Sequence, residues 1–160
     1  MTSAISILYK LIGGETSMSQ LSEHLSLEEF IHSDTANSKG IDNSLPDNLL
    51  EAAKYTAVNL FEPIRALLGV PIKINSGYRC IELNTAVRGV PTSQHTKAQA
   101  LDMVPKGLTI AQAFERLEKS DLVWDQLICE HDSNNNMWIH ASIVNGPNRQ
   151  QVIPNLLKPN

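Results

Sequence analysis

Residues 100–104 read Ala-Leu-Asp-Met-Val, a short apolar run that predicts a buried β-strand with one carboxylate in its middle. Moving a carboxylate without a partner into such an environment costs several kcal/mol or more. Asp102 must therefore lie at an exposed edge, pair with a cation such as Lys97 or Lys106, or bind a metal ion. Some neighbouring group must therefore stabilise this carboxylate.

Two histidines are candidates to share a metal ion with Asp102. His95 precedes Asp102 by seven residues, a separation of about 10 Å along a helix and more than about 20 Å along a strand. One ion can bind both side chains only if the chain bends over residues 96–100, and the composition of that segment permits a bend. His140 is the third candidate. Two imidazoles and one carboxylate leave the fourth position of a tetrahedral zinc ion to water, an arrangement that favours hydrolysis.

The patterns elsewhere along the chain predict an α+β domain in which a small, mostly antiparallel sheet packs against helices. A capping box formed by Ser26 and Glu29 predicts one helix, and Thr109 caps another. Apolar residues at helical spacing predict a long helix over 46–68, which Pro63 should kink or split. The Ser- and Asn-rich residues 33–45 predict a surface loop. The predicted strands are residues 72–75, 100–104, 124–130 and 137–143.

The pairing of the last two predicted strands decides whether Glu130 can act beside His140. If Glu130 pairs with Met137, Glu130 and His140 lie on opposite faces of the sheet. If Glu130 pairs with Trp138, Ile128 pairs with His140, and Glu130 and His140 become diagonal neighbours on one face. In the second register the carboxylate can reach a water molecule beside a metal ion held by His140. The sequence leaves both registers open.

Composition and charge limit the classes of protein. A chain of 160 residues with 42% hydrophobic and 19% charged residues fits one packed globular domain. Lysine and arginine total 13 against 17 aspartate and glutamate, and no basic stripe is visible, so nucleic acid is not an expected partner. Cys80 and Cys129 are too few for a disulfide scaffold and lack the spacing of a thiolate metal site.

The two ends of the chain differ in character from its middle. Residues 1–17 form a predicted N-terminal extension whose apolar run is too short to span a bilayer and lacks the charged start of a signal peptide. We expect this extension to be poorly ordered, residues 18–143 to form the domain, and residues 144–160, with three prolines, to form an irregular tail. We also expect synthesis in the cytoplasm, no stable membrane association and a monomer.

Several short runs resemble the motifs of one known family: SGYR (76–79), LN (83–84), SQH (93–95), DQLICE (125–130) and WIHAS (138–142). Together they resemble the M15 zinc peptidases, and more narrowly the small phage-associated members related to D-alanyl-D-alanine carboxypeptidases and endolysins. The resemblance runs from about Leu21 to Ser142. It implies the fold shared by hedgehog and D-Ala-D-Ala peptidase domains, and one zinc ion per chain held by His95, Asp102 and His140.

The same resemblance implies an acidic general base and an arginine that binds the substrate or its developing oxyanion. Arg79 matches the arginine. Better-known members place the acid three residues before the last histidine, where this chain has Met137; the narrower subgroup offers Glu130, which we predict to be the base. Asp132 and Asp125 remain alternatives. Further predicted substrate contacts are Tyr78, Ser93 and Gln94, the last two of which could instead orient His95 or simply form the loop.

The sequence departs from the family pattern on both sides of the first histidine. Lys97 and Ala98 stand where relatives often have a turn that contains glycine, and Cys80 replaces a residue that is commonly small or polar.

The expected function is zinc-dependent hydrolysis of stem or cross-bridge peptides of bacterial peptidoglycan by a phage or prophage endolysin, acting at the cell wall or as a virion component. One alternative is a noncatalytic module of the same fold that binds peptidoglycan or builds the virion; a weaker one is an intracellular dipeptidase.

Overall fold

A computed structural model describes residues 19–157, so the predicted extension over residues 1–17 lies outside the described residues. Five strands form one sheet in the order β1-β2-β4-β3-β5. All neighbouring strands are antiparallel except β3 and β5, which are parallel. The strands are β1 (Ile72–Ser76), β2 (Ala100–Pro105), β3 (Gln126–His131), β4 (Met137–Ser142) and β5 (Gln151–Leu157).

Short helices precede, separate and cover the strands, which confirms the predicted α+β class. No helix among residues 19–157 combines the length and hydrophobicity that a bilayer crossing requires. The α-helices are α1 (Leu27–Ile31), α2 (Asp34–Lys39), α3 (Leu50–Thr56), α4 (Glu62–Leu68), α5 (Ile81–Ala86) and α6 (Ile110–Glu118). A π-helical turn (Ala57–Phe61) joins α3 to α4, and 3₁₀ turns occur at Asp47–Leu49 and Gln94–Lys97.

The predicted disruption at Pro63 takes the form of the π-helical turn that precedes it. Proline has no N–H, and its ring collides with the carbonyl four residues earlier in a regular α-helix. A wider turn over Ala57–Phe61 moves the backbone out of the α-helical pattern just before α4, in whose first turn Pro63 lies. The chain therefore continues as one helical segment until Gly69, whose φ of 68° ends it.

The prediction of a loop over residues 33–45 is wrong for Asp34–Lys39, which form α2. The Ser33 hydroxyl accepts a hydrogen bond from the backbone N–H of Ala36 at 3.2 Å, and Gly40 ends the helix with a φ of 65°. Serine and glycine, which suggested a loop by composition, here act as the two caps of a short helix.

The prediction of an irregular tail after residue 144 is wrong for Gln151–Leu157, which form β5 at the edge of the sheet. Pro154 suggested irregular structure because it cannot donate to a strand ladder. At an edge strand or a bulge that missing N–H is tolerated. The register between β3 and β5 shifts between Ile128 and Glu130, opposite the part of β5 that contains Pro154, so the strand continues past it.

Alternation along the strands separates a core face from a polar face. Leu101 and Met103 of β2 enter the main hydrophobic core with residues of α3, α4 and α6, which cover one face of the sheet. Asp102 lies between them in sequence and therefore projects from the opposite face. By the same alternation Glu130 and His140 project with Asp102, away from α3, α4 and α6. The residues of β3 and β4 in the core are Leu127, Cys129, Ile139 and Ala141.

Candidate metal centre

Two of the predicted ligands come from neighbouring strands in the middle of the sheet. Asp102 of β2 and His140 of β4 are direct partners in the antiparallel register. The distance from Nδ1 of His140 to Oδ1 of Asp102 is 2.9 Å, and both residues are buried. The pairing of the strands therefore brings an imidazole nitrogen and a carboxylate oxygen to one point on the polar face.

The third ligand, His95, reaches that point from the 3₁₀ turn before β2. Its Nδ1 lies 2.6 Å from the carbonyl oxygen of Gly77. A carbonyl can only accept, so Nδ1 carries the proton and Nε2 is left with its lone pair. Nε2 lies 3.3 Å from Oδ1 of Asp102 and 3.3 Å from Nδ1 of His140.

The bend that the sequence required between His95 and Asp102 is present at Ala98. Its φ is 56°, in the left-handed region, and it follows directly on the 3₁₀ turn. That conformation is one that glycine adopts without strain, which gives a physical reason for the glycine-containing turn of relatives; an L-residue there costs about 1–2 kcal/mol. The hydroxyl of Thr56 in α3 donates to the Ala98 carbonyl at 2.8 Å and helps to hold the bend.

The three ligand atoms fit a tetrahedral zinc ion. They lie within 4.8 Å of one another, with separations of 2.9 to 3.3 Å. Bonds of about 2.0–2.1 Å at tetrahedral angles require ligand atoms about 3.3 Å apart. Within residues 19–157, no other group of histidine, cysteine, aspartate and glutamate side chains has such geometry. Cys80 is not part of the site, because its Sγ caps α5 by accepting the N–H of Leu83.

The electrostatics of the site favour the protonation states that a metal ion needs. Burial lowers the pKa of His95, which favours the neutral ring. Burial alone would raise the pKa of Asp102, but its contacts with His95 and His140 outweigh burial and hold that pKa well below the usual value. Both directions suit a metal ion, which binds neutral imidazole and ionised carboxylate.

Arg79 contacts the carboxylate of the candidate ligand Asp102. Its Nη2 lies 2.7 Å from Oδ2 of Asp102, and its Nε donates to the hydroxyl of Ser76 at 2.8 Å. The guanidinium thus binds one oxygen of Asp102 and leaves Oδ1 as the oxygen that faces the histidines. Arg79 also lines the cleft over the site, so the predicted contact with substrate stays a prediction beside this observed positioning contact.

The strand register is the one that places Glu130 and His140 on the same face. Glu130 pairs with Trp138, and Ile128 pairs with His140. The Glu130 side chain is buried, with the residue 2% exposed, and it lines the same cleft as the three ligands. Its Oε2 accepts a hydrogen bond from the indole N–H of Trp138 at 2.8 Å. Sequence reasoning missed this contact; the signal was the direct pairing of residues 130 and 138, which only the register reveals.

The two alternative bases have structural contacts of their own. Asp125 is buried and accepts hydrogen bonds from Nε and Nη2 of Arg149. These bonds lower the pKa of Asp125. Asp132 accepts the backbone N–H groups of Asn134 and Asn136, which closes the connector between β3 and β4. Glu130 is therefore the carboxylate best placed to act beside the metal ligands.

An open cleft of about 700 Å³ lies over the metal ligands. Ser93 and Gln94 line it, and the Ser93 hydroxyl also accepts the backbone N–H of His95 at 3.3 Å, so it helps to orient that turn. Tyr78 does not line the cleft. It is 6% exposed and belongs to the hydrophobic core, so the structure does not support the prediction that it binds substrate. Within the SGYR run, Arg79 therefore points toward the site and Tyr78 packs into the core.

The family model described as Peptidase M15 matches residues 23–142. The chain belongs to the M15 peptidase family. A comparison with curated proteins finds no match. The M15 match contains His95, Asp102, His140 and Glu130, and it ends before the segment that carries Arg149 and β5. The chain is thus a peptidase by family, with part of its cleft built by residues beyond the matched region.

Gly77→Ala tests whether the Gly77 carbonyl positions His95. A Cβ at Gly77 would lie 2.3 Å from the backbone oxygen of Phe30, so the backbone has to shift. We expect a stability loss of about 1–3 kcal/mol and zinc affinity lower by about 10–100-fold, because the partner of a ligating histidine moves. Thermal unfolding and competitive chelator titration measure the two effects.

Gly107→Ala is the matched control for this change. Gly107 has a φ of 85°, and no atom lies within 4 Å of the position that a Cβ would occupy, so alanine there costs stability through backbone strain alone. Zinc affinity should stay at the level of the unaltered protein. Equal zinc affinity in both variants would show that the Gly77 contact does not matter for the metal centre.

Proposed function

We propose that this M15 peptidase is zinc-dependent, binds one zinc ion per chain through His95, Asp102 and His140, and hydrolyses peptide bonds of bacterial peptidoglycan. The observation that carries the proposal is the approach of three ligand atoms to between 2.9 and 3.3 Å of one another, on the sheet face that also holds a buried glutamate. Three protein ligands rather than four are the ligand number of catalytic zinc sites.

The chemistry assigned to the chain's own residues is general acid–base catalysis. A bound zinc ion supplies Lewis acidity, which lowers the pKa of water and polarises a peptide carbonyl. Glu130 accepts a proton from the attacking water and returns it to the departing amine. Trp138 holds one oxygen of Glu130, which leaves the carboxylate in a fixed orientation. Arg79 binds Oδ2 of Asp102 and so leaves Oδ1 as the oxygen that faces the histidines.

The proposed substrates are stem or cross-bridge peptides of the bacterial cell wall. The support is the resemblance of the SGYR, SQH, DQLICE and WIHAS runs to the small phage-associated M15 peptidases. The open shape of the cleft suits an extended peptide. On the same basis we propose a phage or prophage endolysin that is made in the cytoplasm and acts as a monomer, at the cell wall or within a virion.

Digestion of purified peptidoglycan sacculi tests the proposal. The zinc-loaded protein should release peptide fragments whose masses identify the cleaved bond, and a chelator should stop the release until zinc is restored. Metal analysis should find one zinc ion per chain. A protein that binds zinc but releases no fragment from sacculi of any wall type would instead be the noncatalytic, zinc-stabilised module. Cleavage of free D-Ala-D-Ala alone would indicate a dipeptidase.

Trp138→Phe tests the hydrogen bond that orients Glu130. Phenylalanine keeps an aromatic ring but removes the indole N–H that donates to Oε2. Hydrogen bonds to charged groups contribute about 1.5–3 kcal/mol, so we expect kcat to fall by about tenfold or more, with zinc content unchanged. Trp124→Phe in the core is the control and should change stability but not kcat. An unchanged kcat in Trp138→Phe would remove this tryptophan from the mechanism.

A further inference from the structure

Arg149 is a cation of the cleft that lies outside the M15 match. Its Nε donates to both carboxylate oxygens of Asp125, at 3.1 and 3.0 Å, and its Nη2 donates to Oδ2 at 2.5 Å. Its backbone N–H also donates to Oδ1 of Asp125, at 3.0 Å. The Asp125 side chain is 5% exposed, whereas that of Arg149 is 58% exposed. The Asp125 carboxylate is therefore buried beneath the Arg149 guanidinium, which faces solvent and the cleft.

The guanidinium is held in place by the end of the sheet. The backbone N–H of Asp125 donates to the carbonyl of Ser142 at 2.7 Å, and the N–H of Gln151 donates to the carbonyl of Asp125 at 3.0 Å. Asp125 is thus fixed between the end of β4 and the start of β5. No hydrogen bond within residues 19–157 engages Nη1 of Arg149, so one edge of the guanidinium remains to bind a ligand.

The sheet register sets the position of Arg149 relative to the metal ligands. Gln126, Ile128 and Glu130 line the cleft along β3. Ile128 lies opposite His140, and Gln126, next to Asp125, lies opposite Ser142. Gln126 and Ile128 are two residues apart on β3, which corresponds to about 7 Å at a rise of about 3.3 Å per residue. An extended substrate has a similar rise per residue, so the guanidinium lies within reach of a group about two residues from the bond that is cut.

We propose that Arg149 binds a carboxylate of the substrate near the scissile bond and thereby sets the specificity of the peptidase. The inference rests on the proposed function, since it assumes that a cell-wall peptide occupies the cleft. A guanidinium binds carboxylates through two parallel hydrogen bonds, and a fixed guanidinium loses little freedom when it does so. The carboxylate can come from the C-terminus of a stem peptide or from its internal D-glutamate.

Peptide binding to a protein that cannot turn over tests the inference. In a zinc-loaded Glu130→Gln background, calorimetry would compare a free stem pentapeptide, its C-terminal amide, and the same peptide with D-glutamine for D-glutamate. We expect one of the two neutralised peptides to bind about 10–100-fold more weakly than the free peptide. Arg149→Gln should remove that difference by weakening the free peptide and leaving the neutralised one unchanged.

Two further variants separate recognition from folding and from general charge. The double variant Asp125→Asn with Arg149→Gln removes the carboxylate that would otherwise be buried without its cation, and it should lose the same discrimination. Lys97→Gln removes another positive charge from the cleft lining and should keep the discrimination. A purely structural role for Arg149 would weaken all three peptides equally.

The binding data show whether Arg149 recognises a carboxylate and which carboxylate it is. If the C-terminal amide binds weakly, Arg149 recognises a chain end; if the D-glutamine peptide binds weakly, it recognises an internal carboxylate. Peptides that bind with equal affinity whether charged or neutral would overturn this inference while leaving the proposed function intact. If no peptide binds the background protein, the proposed function fails, and this inference fails with it.

Discussion

Glu130→Gln is expected to lower kcat on peptidoglycan peptides by about 10²–10⁴-fold, the contribution typical of a general base. Glutamine has nearly the same shape as glutamate, and its side-chain oxygen can still accept the hydrogen bond of Trp138. It cannot take a proton from water. Because Glu130 lies on the neighbouring strand and is not a metal ligand, zinc content and thermal stability should remain close to those of the unaltered protein. Steady-state kinetics, metal analysis and thermal unfolding measure the three quantities.

Asp132→Asn is the matched control, since Asp132 also lines the cleft and follows Glu130 by two residues. Its carboxylate closes the connector through Asn134 and Asn136, so its loss should affect local stability more than kcat. A large fall in kcat for Asp132→Asn, with Glu130→Gln active, would transfer the role of base to Asp132. Full activity of Glu130→Gln would contradict the mechanism proposed for this peptidase.

Asp102→Asn is expected to abolish zinc binding under dialysis and, with it, peptidase activity. Asp102 supplies the only negative charge among the three ligands and contacts both histidines and Arg79. Loss of a residue that merely supports a ligand weakens metal affinity by about 10–100-fold, so loss of the ligand charge should weaken it by more than about 100-fold. The variant also leaves Arg79 partly buried without its carboxylate, so thermal stability should fall as well.

Asp125→Asn separates the loss of a metal ligand from the loss of a buried, arginine-bound carboxylate. Asp125 pairs with Arg149 much as Asp102 pairs with Arg79, but it is not a metal ligand. The control should lose stability and retain one zinc ion per chain. If Asp102→Asn kept zinc with unchanged affinity, the proposed ligand set would be wrong.

The central strand and the candidate ligands could be predicted from the sequence because their chemistry conflicts with their surroundings. A carboxylate inside an apolar run needs a compensating partner, and this requirement led from Asp102 to the histidines. The need for a bend after His95 also followed from distances alone, and the structure shows it at Ala98. The bend followed from the distance between two residues along the chain, whereas the full ligand set also rested on the resemblance to the M15 peptidases.

Other features depend on contacts between distant parts of the chain and were not predictable. A one-residue change in strand pairing moves Glu130 to the opposite face, and the two registers have nearly the same sequence support. The contact of Arg79 with Asp102 spans 23 residues and follows from the strand pairing of β1 and β2. For β5, Pro154 argued against a strand. The strand forms because β5 lies at the edge of the sheet, a position that the sequence of this segment does not reveal.

The origin of the three candidate ligands also determines how the proposed zinc ion would enter and leave. Asp102 and His140 belong to paired central strands, so that half of the centre persists as long as the sheet does. His95 belongs to a short 3₁₀ turn, held by the carbonyl of Gly77 and the hydroxyl of Ser93. Opening that turn alone would free the ion. If zinc binds as proposed, the rate of metal exchange should therefore follow local hydrogen exchange in this turn, and removal of zinc should leave the core folded.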